Sequence, residues 1–148
     1  GKGLGGGMPI GAFISSKEKM DLLQSQPKLG HITTFGGHPV IAAAALATLT
    51  EVTNSNLIKE VTRKEKIIKS KLQHIDIKEV RGTGLMLSLI LESPEKATKV
   101  ILDCMQNGLL LFWLLYEGRA VRITPPLTIS DEEIHKGCDI ILDSLNKL

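Results

Sequence analysis

Ile75-Asp76-Ile77-Lys78-Glu79-Val80-Arg81-Gly82-Thr83-Gly84-Leu85-Met86-Leu87-Ser88-Leu89-Ile90-Leu91 is the stretch on which the fold turns. Residues 75–80 alternate between apolar and polar side chains up to Lys78, with Val80 following a second polar residue, and residues 85–91 run almost wholly apolar. Period-two alternation places apolar groups on one face of a strand, and a short apolar run between turn signals reads as a buried strand. Arg81-Gly82-Thr83-Gly84 supplies the glycines that let the chain reverse between them. The pair therefore reads as two neighbouring strands.

Toward the C-terminus the pattern changes period. Ser93-Pro94-Glu95 opens a helix, with Ser93 as cap, Pro94 in the first turn and Glu95 near the positive end of the dipole. Val100, Ile101, Cys104 and Met105 form its expected inner face, and Gly108 ends it. Residues 109–114 and 120–123 read as strands on either side of the turn Tyr116-Glu117-Gly118-Arg119, and Pro125-Pro126 stops the sheet. Ser130-Asp131-Glu132-Glu133 is a capping box. It starts a last helix expected to bury Ile134, Cys138, Ile141, Leu142 and Leu145. Residues 74–148 thus read β-β-α-β-β-α, a small α+β domain with an antiparallel sheet.

Toward the N-terminus, residues 57–72 carry Leu57, Val61, Ile68 and Leu72 on one helical face. Asn54-Ser55-Asn56 separates this helix from another that begins at Pro39 and runs through the alanines of residues 42–45. So many alanines permit close packing on every side, and deep burial is expected there. Ser16 caps a helix over residues 17–23, and residues 8–15 read as a short buried strand. Residues 1–53 look like the end of a larger α/β domain, because one strand and flanking helices cannot close a core. Residues 54–73 are the expected linking helix.

Of the 148 residues, 43% are hydrophobic and 23% charged, which fits a globular protein. The net charge is +2 with Lys and Glu/Asp interspersed, and only 3% of residues are aromatic. Neither a nucleic-acid surface nor a base-stacking platform is expected. No apolar run is long enough to span a bilayer. Cys104 and Cys138 lack metal or redox spacing and read as reduced core thiols, so no metal is expected and a cytoplasmic location is.

Gly1-Lys2-Gly3-Leu4-Gly5-Gly6-Gly7-Met8-Pro9-Ile10-Gly11-Ala12 sets one lysine among glycines. Its opening matches G-x-G-x-x-G, but a dinucleotide site needs a strand before the motif and a helix after it, and here a strand is expected to follow. A lysine held against bare backbone can be desolvated, and its amine can then attack a carbonyl to form a Schiff base. Thr33-Thr34-Phe35-Gly36-Gly37-His38-Pro39 leads into a helix N-terminus, where free N–H groups and two threonine hydroxyls suit an anion such as phosphate.

Together with Val80-Arg81-Gly82-Thr83-Gly84-Leu85-Met86 and Val121-Arg122-Ile123-Thr124-Pro125-Pro126-Leu127, these blocks resemble the C-terminal part of class III pyridoxal-phosphate aminotransferases of the acetylornithine and ornithine group. The resemblance implies that Lys2 is the lysine that holds pyridoxal phosphate as a Schiff base and moves the substrate proton. It implies that Thr34, with Thr33 beside it, bonds the cofactor phosphate bound by a neighbouring subunit. Arg122 would reach a substrate carboxylate, which its planar fork suits. The implied assembly is a homodimer with shared active sites, and the implied substrates are an amino acid or ω-amine and a 2-oxo acid such as 2-oxoglutarate. Arg81 matches a structural turn. His38 stands where asparagine is common, and Phe112-Trp113-Leu114-Leu115-Tyr116 departs from a smaller-residue pattern, which leaves the amino donor open. A catalytic lysine at the second position leads to the expectation that the chain is part of a longer protein and inactive alone. An aminomutase of the same fold and a non-catalytic interaction module are the alternative readings.

Overall fold

The computed structural model describes residues 2–148. It comprises two compact units, one ending at Ser55 and the other beginning at Asn56.

The first unit contains helices α1 (Lys17–Asp21) and α2 (Pro39–Asn54). Ser16 Oγ accepts from Lys19 N at 3.4 Å to start α1. Pro39 occupies the first turn of α2, where its missing N–H costs nothing. Extended backbone at Ser55 ends that helix. Gly5 is the one buried residue among those described in this unit. Two expectations fail here. Residues 8–15 form no strand, since none of the unit's described residues offers a ladder to pair with. The alanine-rich α2 is not deeply buried: Val40, Leu46 and Leu49 are 55%, 66% and 52% exposed. Close-packing residues cannot be buried without a second apolar layer, and this unit supplies none.

The second unit contains α3 (Leu57–Lys71), β1 (Glu79–Thr83), β2 (Met86–Ile90), α4 (Pro94–Gln106), β3 (Phe112–Trp113), β4 (Ala120–Ile123) and α5 (Asp131–Leu145). The sheet is antiparallel throughout, in the order β1-β2-β4-β3. Register aligns Val80, Leu89, Val121 and Trp113 across the four strands. This row faces the helices: Leu89 and Val121 belong to the core, and Trp113 Nε1 donates to Thr98 Oγ1 of α4 at 3.0 Å. The neighbouring row, Arg81, Ser88, Arg122 and Phe112, therefore lies on the opposite face. Helix α4 packs on β3 and β4, α3 on β1, and α5 against both α3 and α4. Leu89, Leu91, Val100, Ile101, Cys104 and Val121 are wholly buried between these layers.

The expected helix signals hold in this unit. Ser93 Oγ accepts from Lys96 N at 3.3 Å, and both bonds of the capping box at Ser130 and Glu133 form, at 2.8 and 3.1 Å. The strand ends shift. Ile77 N donates to His74 O at 3.1 Å, and this turn delays β1 to Glu79. Residues 81–83 belong to β1, and the reversal falls at Gly84-Leu85. There Gly84 N donates to Glu65 Oε2 of α3 at 2.7 Å, and Lys69 Nζ donates to Gly82 O at 3.0 Å. Gly84 has φ +62°, and a Cβ on it would stand 2.6 Å from Val61 Cγ1, so only glycine fits. The strand expected over residues 109–114 shrinks to Phe112–Trp113. Met105 is 43% exposed, because the next position after Cys104 rotates off the buried face, and Leu142 is only half-buried. No helix of the described residues is long and apolar enough to cross a membrane.

Candidate active site

Lys2 is exposed, and its Nζ has no hydrogen-bond or ion-pair partner among the described residues. The loop behind it is tied by two tight turns, Gly6 N to Gly3 O at 3.1 Å and Met8 N to Gly5 O at 3.0 Å. Gly6, at φ +55°, rests against Thr48 of α2 so closely that a Cβ would collide with Thr48 Oγ1. The glycine run is therefore a packing requirement as well as a flexible one: it seats the loop after Lys2 on α2.

The threonine loop reaches the other end of α2. Gly36 N donates to Thr33 O at 3.3 Å and His38 N to Phe35 O at 3.2 Å, which turns the chain into the helix. His38 caps α2 without a side-chain bond, so the positive end of the helix stays open to an anion. A cavity of about 270 Å³ lies here, lined by Pro9, Ile10, Thr33, Gly36, His38 and Ile41 among others. Thr33 is part of its wall, whereas Thr34 and Lys2 are not.

Arg122 belongs to the second unit, on the interior strand β4. Arg63, Arg81 and Arg119 each pair with a carboxylate: Arg63 with Glu60 and Asp131, Arg81 with Glu79, Arg119 with Glu117. Arg122 has no such partner among the described residues. Its Nε is buried without an acceptor, and its guanidinium carbon stands 5.1 Å from the centroid of the Phe112 ring, its cross-strand neighbour. A half-buried, stacked, unpaired arginine is suited to receive a carboxylate from a ligand. A cavity of about 310 Å³ lies beside it, walled mainly by apolar residues such as Leu110, Phe112, Ile134 and Cys138.

Two thiols and one carboxyl of this unit are shifted by their surroundings. Burial pushes the Cys138 thiol up to about 11 and raises that of Cys104, so neither supplies a thiolate near neutrality. Hydrogen bonds from the Arg119 side chain and backbone N–H hold the Glu117 carboxyl down at about 2. The described residues include no cluster of His, Cys, Asp or Glu that could hold a metal ion.

Residues 1–145 match the family described as aminotransferase class-III. The chain belongs to that family. It is 34% identical to an acetylornithine aminotransferase of Caldanaerobacter subterraneus subsp. tengcongensis over 99% of its own length and 37% of the relative's. It is also 37% identical to a leucine/methionine racemase of Thermococcus litoralis, over 93% of this chain and 33% of that one. Among solved structures it resembles the ornithine aminotransferase of Toxoplasma gondii, which has partial occupancy of pyridoxal phosphate at its active site. That likeness has a TM-score of 0.75 and 30% identity, covering 88% of this chain and 31% of the other. The chain thus spans about a third of the length of the curated relatives it matches.

Within this class III aminotransferase chain, Lys2, Thr33 and Thr34 fall in the first unit and Arg122 in the second. Sequence reasoning missed Phe112 as a neighbour of Arg122. The available signal was the hairpin: Phe112 and Arg122 stand equidistant from Glu117, near the centre of the expected turn.

Proposed function

We propose that the protein carrying this sequence moves an amino group from an amino acid or ω-amine, of the ornithine or acetylornithine kind, to 2-oxoglutarate, with pyridoxal phosphate as cofactor. The observation that carries this reading is the class III match over residues 1–145, which includes Lys2 with its amine uncommitted to any carboxylate among the described residues. The residues fit such a cofactor. Lys2 offers a primary amine for its aldehyde, and Thr33, Thr34 and the uncapped first turn of α2 offer donors for the phosphate of a cofactor that a second subunit holds. When bound, the cofactor supplies an electron sink for the charge left as the substrate α-carbon loses a proton. Lys2 Nζ would take that proton and deliver it to the cofactor rather than back to the α-carbon. Thr34 bonds the phosphate of the cofactor held by a second subunit in a cytoplasmic homodimer. Arg122 orients the substrate by its carboxylate.

On this reading residues 1–53 belong to the large cofactor-binding domain, 54–73 link, and 74–148 form the small domain. The 148-residue polypeptide is inactive by itself, because a unit that buries only Gly5 among its described residues cannot keep water from a bound cofactor. Borohydride reduction after incubation with pyridoxal phosphate, followed by peptide mass mapping, tests both statements. The protein as the cell makes it is expected to carry one label, on Lys2, and the 148-residue polypeptide none in stoichiometric amount. A label elsewhere, or transamination retained in Lys2→Ala, would overturn the assignment.

The Thermococcus litoralis relative favours racemisation as a second reading. A racemase returns the proton to the same carbon and consumes no oxo acid. Appearance of glutamate in step with consumption of 2-oxoglutarate separates the two.

A further inference from the structure

Arg122 is held in an unusual way for this molecule. The other three arginines are fixed by carboxylates at 2.6–2.7 Å. Arg122 is fixed by an aromatic face: Phe112 lies directly opposite it in the β3–β4 register, with the guanidinium carbon 5.1 Å from the ring centroid. On its other flank in the same row stands Ser88, 8% exposed, which makes no bond to it. The Nε–H is buried and lacks an acceptor, a cost that a surface arginine avoids by turning to water. The two Nη groups also make no hydrogen bond among the described residues. The ring therefore does what an acidic partner does for the other arginines, without occupying any of the N–H donors.

We propose that Phe112 is a positioning residue for Arg122. The ring holds the guanidinium plane through its face and leaves the Nη pair as the donors that meet a ligand carboxylate end-on. A glutamate or aspartate in its place would fix the arginine equally well but would neutralise it and fill those donors. An aliphatic residue would leave them free but lose the attraction of the ring's negative face for the cation. The ligand class is a carboxylate whose two oxygens match the Nη pair, such as a 2-oxo acid or dicarboxylic acid. This rests on the reading of Arg122 as the carboxylate-binding group, and the experiment separates the two.

Glutarate serves as the probe, titrated by calorimetry into the protein as the cell makes it, loaded with pyridoxal phosphate. Phe112→Leu keeps apolar volume and removes the ring, Phe112→Tyr keeps the ring, and Arg122→Leu removes the cation. Expected are about tenfold or greater weakening for Arg122→Leu, about three- to tenfold for Phe112→Leu, and binding within about twofold of the parent for Phe112→Tyr, following the strength of cation–π contacts. In steady state, Phe112→Leu should raise KM for the oxo acid more than it lowers kcat, a split that general loosening would not give. Undiminished binding in Arg122→Leu sinks the reading of Arg122, and the positioning role with it. Loss in Arg122→Leu with none in Phe112→Leu sinks the positioning role alone, as does equal loss in Phe112→Leu and Phe112→Tyr. A thermal melt of each variant keeps an unfolded protein from counting as a weakened site.

Discussion

The two units carry apolar residues in similar proportion and give them opposite fates. In the second, Leu89, Val100, Ile101 and Val121 are wholly buried between one sheet and its helices. In the first, Phe13, Ile14 and Phe35 are 73%, 97% and 72% exposed, and α2 shows its leucines to solvent. An apolar segment records a need for burial but does not say which surface meets it. A helix such as α2, apolar on nearly every side, is built for a surrounded position, and the unit's own residues do not surround it.

The sharpest way to break this contrast is to cut one leucine in each unit. Leu89→Ala removes a fully buried side chain and should cost about 2–5 kcal/mol, because the rigid layers around it close the cavity only in part. Leu46→Ala, at a position 66% exposed, should change stability by no more than about 0.5 kcal/mol in the 148-residue polypeptide. Urea denaturation of both variants checks this. Equal losses would mean that α2 is packed as tightly as the sheet.

Capping sharpens the comparison on a smaller scale. Ser130 and Glu133 exchange two bonds at the start of a 15-residue helix anchored in the core. Ser16 accepts a single bond at 3.4 Å before a five-residue helix with no buried residue. Ser130→Ala is expected to lower stability by about 1 kcal/mol. Ser16→Ala should leave the same melt unmoved, since α1 has no packing through which its fraying could be felt. A shift in the Ser16 variant comparable to that of Ser130 would tie α1 to the cooperative unit.

Some of these features are legible in the amino-acid sequence and others are not. The caps at Ser93 and Ser130, the stop at Gly108 and the break at residues 54–56 are local chemistry, and local chemistry is written in neighbouring residues. The strand limits were not local. The end of β1 is drawn by Glu65 and Lys69 of α3 gripping the Gly82–Gly84 turn, and its start by the turn at His74. The strand expected over residues 8–15 failed for a related reason: an apolar run states that a segment could be buried as a strand, and pairing needs a partner. The site divides likewise. Lys2, Thr33, Thr34 and Arg122 are named by resemblance to a family, which the match over residues 1–145 bears out as a family. The ring beneath Arg122 is a cross-strand contact, visible only once β3 and β4 are in register.

The least of the expected effects is electrostatic and again belongs to the second unit. Asp103 on α4 accepts from Ser144 Oγ of α5 at 2.5 Å and from Lys147 Nζ at 2.8 and 3.0 Å, joining the C-terminal ends of the two helices. The Lys147 ammonium first, and the Ser144 hydroxyl after it, hold its carboxyl below the usual carboxylate range. A carboxyl depressed in the folded state stabilises that state above its unfolded value of about 3.9. The contribution is lost as pH falls through the folded value, because both states then bind the proton. Stability should therefore decline on acidification below about pH 4 partly through this group. Asp103→Asn should be less stable at neutral pH and show a shallower acid limb, and Lys147→Met should do the same to a lesser degree, since Ser144 remains. The exposed Lys17–Asp21 pair of α1, at 2.6 Å, should add nothing measurable when Lys17 is removed. An acid limb unchanged in Asp103→Asn, followed by urea denaturation across pH, would show that the α4–α5 junction is held by packing around Cys104 and Leu145 rather than by this carboxylate.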